Sequence, residues 1–399
     1  MPAIDERLCD PVSTAELERR WTAARTYMRS AKVDALIVQG ANGYAGTAGY
    51  YRWLTGMPSV NSYPHTAILP RHGLMTLVQQ GDRGGERTMD GAVPEFRGVG
   101  RRLSTPSFPA IAYCSAYDAE IIAAEISRSG YRSVGLVGAF AMYHGFATRL
   151  RELLGGVTLV DATDALDDMK AAKSVEDIAF IRRTAAMQDE VMSKVRGHLR
   201  PGMRDFEVTA YGQYLGQLGG SEAGYFLANS APPGEPTMLR HRPYQGRVIR
   251  EGDVLMFQAE NTGPGGFFVH LGRVFVLGKA PQELVDAFGA MVEAQEYTLK
   301  LLKPGAASRD IFESYNAYMR SRGFPEERRL HCHGQGYEVV ERPLIRNDET
   351  MKISGSMNIG IHPSISNDRM FMTVCDNVLI GQDGSAERLH RTPQNIVEL

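Results

Sequence analysis

Two segments of this chain repeat one pattern, and that repeat restricts the fold more than any other feature. Leu199-Arg200-Pro201-Gly202 runs into an acid-rich helix start at Asp205-Phe206-Glu207, and the helix closes on Leu218-Gly219-Gly220. Leu302-Lys303-Pro304-Gly305 then leads to Asp310-Ile311-Phe312 and a helix closing on Arg322-Gly323-Phe324. A long amphipathic segment precedes each copy, 175–197 and 281–301, the first with Ser174 as N-cap and Glu176 and Asp177 in its first turn. Units of this kind cannot bury their apolar faces alone. The repeat therefore predicts a pseudo-two-fold domain with its sheet in the middle, and a site on the sheet face where strands from both halves contribute side chains.

The chain before Asp161 reads differently. Strand-type runs at Val33–Val38, Thr66–Leu69, Leu74–Gln79, Ser133–Val137 and Val157–Val160 alternate with helical stretches near 13–31, 116–129 and 142–154. This is an open sheet with flanking helices, and it contains no phosphate loop and no dinucleotide fingerprint. At 399 residues the chain has room for two cores. We read an α/β (α+β) protein with domains at 1–164 and 165–399.

Composition narrows the function classes. A net charge of -2 offers no basic field for nucleic acid or anionic lipid. MPAIDERLCDPVSTAELERR has acids and no apolar run, so no secretory signal is expected, and no apolar stretch is long enough to span a bilayer. Cys9, Cys114, Cys332 and Cys375 lack paired spacing, as expected of reduced cytoplasmic thiols.

Chemistry-bearing residues concentrate in the second domain. Gly252 to Arg273 reads as strand, glycine-rich turn (Gly263-Pro264-Gly265-Gly266) and strand, with Gln258, Glu260 and His270 inside an otherwise apolar hairpin. Burying those groups costs free energy unless each has a partner. His241 lies upstream. His331-Cys332-His333-Gly334-Gln335-Gly336, the strand Met357–Ile361 ending at His362-Pro363, and the strand Met372–Asp376 with Cys375 complete the set. His331 shares a face with His333 in an extended segment, and Cys332 points the other way into packing.

This layout resembles the pita-bread superfamily of methionine aminopeptidase, prolidase, aminopeptidase P and creatinase. The likeness covers about 165–399, and the first domain resembles the creatinase/prolidase amino-terminal domain. His333-Gly334-Gln335-Gly336 fits the family's His-Gly-x-Gly, Gly360-Ile361-His362-Pro363 its x-x-Glu-Pro strand, and His241 the histidine ahead of the first metal strand. The resemblance implies two metals on two aspartates, one histidine and two glutamates. Of those five positions only His333 is retained; the others are Gln258, His270, His362 and Cys375, and a substrate-binding histidine position falls on Val340. A dinuclear peptidase site is not expected, because too few carboxylates remain to bridge two dications.

Two readings of the altered set compete. In one, a single zinc, iron or copper ion sits in a shell of His270, His333, His362 and Cys375, while Glu260 or His241 moves a proton. Histidine and cysteine are only 10 and 4 of the 399 residues, so random replacement would rarely place three of them at three former ligand positions. In the other, the metal is gone, as in creatinase and ectoine hydrolase, and His241 or His333 acts as base with Glu260 assisting. A third possibility is a binding protein on a retired peptidase fold. The expected substrate is a small polar molecule of amino-acid-derivative type, opened by hydrolysis or lyase chemistry. The resemblance further implies a homodimer, with Tyr63, His65 and Arg52 reaching the partner's site, Glu341 at a family acidic position, and Asp376 orienting a neighbour.

Overall fold

Aliphatic runs ended by turns build the first unit. In the computed structural model, which describes residues 10–40, 48–58, 63 and 65–399, these runs are α1 (Thr14–Ser30), β1 (Ala35–Gln39), α2 (Gly49–Thr55), β2 (Thr66–Pro70), β3 (Met75–Gln80), β4 (Glu86–Thr88), β5 (Val99–Thr105), α3 (Tyr117–Arg128), β6 (Ser133–Val137), α4 (His144–Leu153), β7 (Thr158–Asp161) and α5 (Thr163–Ala171). The strands form one sheet in the order β4-β5-β3-β2-β1-β6-β7. β1 is antiparallel to β2 and parallel to β6. Ile37, Ile68 and Val78 from the sheet pack with Ile122 and Ile126 of α3 and Phe146 and Leu150 of α4. The division falls between Lys170 and Ala171 rather than at 164/165. α5 is tied into the first unit: Gly138 N–H donates to Thr163 Oγ1 at 2.9 Å and Tyr50 Oη to Asp167 at 2.6 Å.

The second unit contains α6 (Val175–His198), α7 (Asp205–Leu218), β8 (Gly224–Ala231), β9 (Val254–Thr262), β10 (Phe268–Val276), α8 (Gln282–Leu301), α9 (Ser308–Ser321), β11 (Cys332–Gly334), β12 (Glu341–Leu344), β13 (Asn358–Ile361), β14 (Ser364–Ser366), β15 (Phe371–Thr373), β16 (Asp376–Ile380), β17 (Ala386–Arg388) and β18 (Val397–Glu398). Ser174 and Asp177 close a reciprocal capping box at the start of α6. The repeat extends to backbone detail. Gly202 and Gly305 adopt φ of +92° and +90°. Their N–H groups bond Ile249 O and Ile353 O at 2.9 and 2.8 Å, and isolated bridges Arg204–Val248 and Ala307–Lys352 follow. A left-handed φ is what glycine supplies without strain, so Pro-Gly recurs where the chain turns from one helix to the next.

The expected single central sheet is two sheets, β18-β10-β9-β8 and β12-β11-β13-β16-β17. They meet at one bridge, where Gly272 and Cys375 exchange N–H···O bonds of 3.0 and 3.4 Å. The expected strand 372–376 is interrupted at that point, with Val374 and Cys375 between β15 and β16. α6 and α7 cover Leu255, Phe257, Leu271 and Phe275 on one side of the first sheet. α8 and α9 pack with Met256 and Val274 on the other.

Candidate active site

Strand register assembles the site. Residues two apart on a strand share a face, so Gln258 and Glu260 on β9 lie with their cross-strand partners Gly272 and His270 on β10. Across the junction Asn377 pairs with Gly360, and Gly360 with His333. His362 N–H bonds His331 O at 2.8 Å just past the end of β13. One face therefore carries Glu260, His270, His333 and His362, drawn from both halves of the repeat.

The three imidazoles form a triangle. Ring centres are 5.4 Å apart for His270–His333, 5.4 Å for His270–His362 and 5.2 Å for His333–His362. His270 and His333 are buried, and His362 is half-buried. His270 fits only because residue 360 is glycine: a Cβ there would lie 2.1 Å from His270 Nε2. A glycine inside a strand pattern signals such close approach, and that signal was available in the sequence. Two further residues had no such signal. Asn377 accepts from His270 N–H at 2.9 Å, and Gln335 Nε2 approaches His270 Nδ1 at 3.4 Å.

Burial and mutual repulsion keep His333 and His362 neutral. Burial, reinforced by His270, holds His333 down at about 4. His362 is pushed well below the usual histidine range by burial, then by His333 and His270. Burial pushes Glu260 up, but the combined pull of His270, His333 and His241 outweighs it, so the carboxyl is ionised below its ordinary range. Its Oε1 stands 3.8 Å from His270 Nδ1, an electrostatic contact beyond hydrogen-bond length. His241 is exposed, edge-on to Tyr225 with ring centres 5.0 Å apart, and Tyr225 lies opposite Glu260 on β8.

Cys375 borders the same face: its Cβ and Gln258 Oε1 lie 2.9 and 3.1 Å from where a Cβ on Gly272 would stand. Cys375 is buried at the sheet junction, and burial, Asp376 and Glu260 raise its thiol well above the usual range. Cys332 packs with Ile359 and Ile361 on the reverse face. Glu341 is held by Lys173 in a buried ion pair at 2.9 Å, and Val340 is exposed. Asp376 does not orient a neighbour in the site. It lies on the reverse face, paired with Arg273 at 2.7 Å and bonded by Gln394. In the first unit, His65 is buried and stacked on Tyr51, Tyr63 is partly exposed against Phe108, and Arg52 is half-buried. Residues 59–62 and Pro64 of that loop lie outside the described residues.

The donor types suit a transition metal, and the spacing is compatible with one. Three imidazoles on one tetrahedral ion, each nitrogen about 2 Å away, put ring centres about 5 Å apart. Among the described residues, no three His, Cys, Asp or Glu set their donor atoms around one point.

Residues 179–382 match metallopeptidase family M24. The probable dipeptidase PepE of Mycobacterium tuberculosis is 24% identical over 246 residues, 61% of this chain and 64% of that protein. The chain therefore spans just under two thirds of that relative's length. The Xaa-Pro dipeptidase of Pyrococcus horikoshii is 24% identical over 275 residues, 67% of this chain and 76% of its own. Among solved structures, the X-Pro aminopeptidase of Thermotoga maritima superposes with a TM-score of 0.78 at 16% identity, covering 95% of this chain and 99% of that one. That structural likeness speaks for the fold, and the sequence match carries the conclusion that this chain belongs to metallopeptidase family M24, with the pita-bread fold.

Proposed function

We propose that the protein is a hydrolase that opens a C–N bond in a small polar amino-acid derivative by acid–base chemistry. One observation carries this reading: an ionised Glu260 stands among three imidazoles 5.2–5.4 Å apart, of which His333 and His362 are held neutral by burial. His333 Nδ1 lies 2.9 Å from Gly334 O. A carbonyl only accepts, so the ring proton is on Nδ1 and the Nε2 lone pair is open. His333 is the base. It takes a proton from water as the water oxygen attacks the substrate carbonyl carbon, then returns that proton to the departing nitrogen as the C–N bond breaks. Glu260 stabilises the imidazolium formed in between. His241, exposed at the rim, meets the substrate. A cytoplasmic homodimer remains part of this reading: unpaired Cys114, Cys332 and Cys375 fit a reducing compartment, and of the residues expected to reach the partner's site Tyr63 is the exposed one, His65 being buried and Arg52 half-buried.

A second reading rests on the imidazole spacing. There the same rings hold one zinc, iron or copper ion, which when bound polarises a carbonyl or lowers the pKa of water. Dipeptides, the substrates in the relatives' names, belong to that reading. The deciding test is to assay purified protein on N-acyl amino acids, ureido acids, cyclic amides and Xaa-Pro dipeptides, with chelator and with added metal. We expect turnover of a non-peptide class that survives chelation and is lost in His333→Gln. Turnover confined to Xaa-Pro dipeptides with added metal would sink the first reading and support the second.

A further inference from the structure

The hydrogen-bond polarity around His270 can be followed from the backbone outward. His270 N–H is a donor, so the atom of Asn377 that it meets at 2.9 Å is the carbonyl oxygen. Asn377 Nδ2 is then the opposite end, and it donates to Gln335 Oε1 at 2.7 Å and Asn358 Oδ1 at 2.8 Å. Asn358 Nδ2 donates in turn to Phe268 O at 3.1 Å, so a backbone carbonyl confirms the direction. With Oε1 committed, Gln335 presents Nε2 to Val339 O at 2.9 Å and to His270 Nδ1 at 3.4 Å. Turning any one of these amides over would set oxygen against oxygen or N–H against N–H. His270 Nδ1 therefore faces a donor and offers its lone pair. Glu260, at 3.8 Å, is too distant to hold a proton there instead. The ring proton is on Nε2, which is buried, has no partner among the described residues, and lies in the space that a side chain at residue 360 would fill.

His333 carries the opposite tautomer, bound through Nδ1 to its own strand. Two rings with centres 5.4 Å apart thus present a donor and a lone pair. A buried N–H with no acceptor is costly, and the acceptor that balances it is the ligand. The geometry points to His270 Nε2–H as the hydrogen-bond donor for the substrate's carbonyl oxygen, with Gln335 and Asn377 as positioning residues that hold its tautomer and Gly360 as the residue that leaves it room. This rests on the hydrolytic reading. As water attacks, the C=O electron pair moves to oxygen, and the oxyanion strengthens its bond to His270 Nε2–H while His333 holds the water's proton. The ligand class is a neutral carbonyl: an amide, ureide or lactam.

The test is the tautomer itself, read without substrate. Full-length protein labelled with ring-15N histidine is examined by long-range 1H–15N correlation, and His270 is assigned by its loss in His270→Gln. We expect a protonated Nε2 and bare Nδ1 at His270, and the reverse at His333. A proton on Nδ1 of His270 in the wild type overturns the inference, even if the protein turns over its substrate. Gln335→Glu places an acceptor against Nδ1 and should move the proton there, with kcat falling on the order of 10²–10³-fold and KM little changed. An unaltered His270 tautomer in that variant overturns the role of Gln335. The expected tautomers without turnover of any carbonyl substrate would instead defeat the hydrolytic reading alone.

Discussion

His270 and Arg273 stand three residues apart on β10 and point to opposite faces, and the two faces treat buried polarity in opposite ways. All five N–H donors of Arg273 are used: on Pro393 O, Gly272 O, Cys375 O, Thr392 O and Asp376. Asp376 also accepts from Gln394 and Gln295, and His390 meets Gln188 at 3.1 Å. On the imidazole face, His270 Nε2, both ring nitrogens of His331 and Tyr315 Oη have no partner among the described residues. Native interiors leave few polar atoms unpaired. A saturated cluster is scaffold, and an unsaturated one marks where a ligand or water is still to come.

Acid should weigh most on the imidazole face, which carries three depressed histidines, His331, His333 and His362, against His390 on the other. Burial holds His331 at about 3 and His333 at about 4, and pushes His362 well below the usual histidine range. On the reverse face burial holds His390 at about 4, whereas Arg273 among others keeps Asp376 ionised below its ordinary 3.8. Each histidine is depressed on folding, so the unfolded chain binds the extra protons. The stability these rings contribute is complete above about pH 6.5 and is lost as pH falls towards 4, by about 1.4 kcal/mol per pH unit for each ring. Asp376 adds its loss only below about pH 4. Urea midpoints should fall steeply from pH 7 to 5, and less steeply in His331→Phe. A midpoint constant over that range would remove the distinction.

Next in size is Arg273→Met. It leaves Asp376 buried without its nearest cation, Arg388 being 3.9 Å away, and four carbonyls short of a donor, a loss of about 3–5 kcal/mol. His333→Gln on the other face should change the urea midpoint little while turnover falls about 10²–10⁴-fold. If the arginine variant were as stable as the wild type, the saturated cluster would not be scaffold.

Much of the fold was legible because it rests on local chemistry. The Pro-Gly repeat, the Ser174 cap and the 263–266 turn all act within a few residues. β5 was not legible, since Arg101 and Arg102 break its pattern; Arg101 is held there by Glu86 and Glu125, partners remote in sequence. The interruption at Cys375 was hidden for a similar reason, because it is set by Gly272 across the junction. At the site, residue types pointed to His270, His333 and His362, but nothing in their spacing could give proton positions. Those depend on Asn377 and Gln335, whose orientation is fixed only when three strands meet.

Gly360→Ala should act through one contact. The added methyl would sit 2.1 Å from His270 Nε2, and displacing that ring from its Asn377–Gln335 seat should cost about 1–3 kcal/mol. In a His270→Ala background the same substitution should cost almost nothing, because the clash is gone. A double-mutant cycle on urea midpoints measures the difference. Additive costs would show that Gly360 serves the backbone and not the imidazole.

The smallest effect has the opposite sign. Tyr315 lies flat against His331, ring centres 3.6 Å apart at 10°, in a core shared with Met291, Met319 and Met372. Its hydroxyl is buried without a partner. Removing an unpaired polar atom from such surroundings relieves a desolvation penalty, so Tyr315→Phe should raise stability by about 1 kcal/mol. His390→Phe, on the saturated side, should lower it, because Gln188 Oε1 loses its partner. If Tyr315→Phe instead destabilises the protein, a water or ligand already bonds that hydroxyl. The polar space of the site would then continue past His362 and His331 to the inner face of α9.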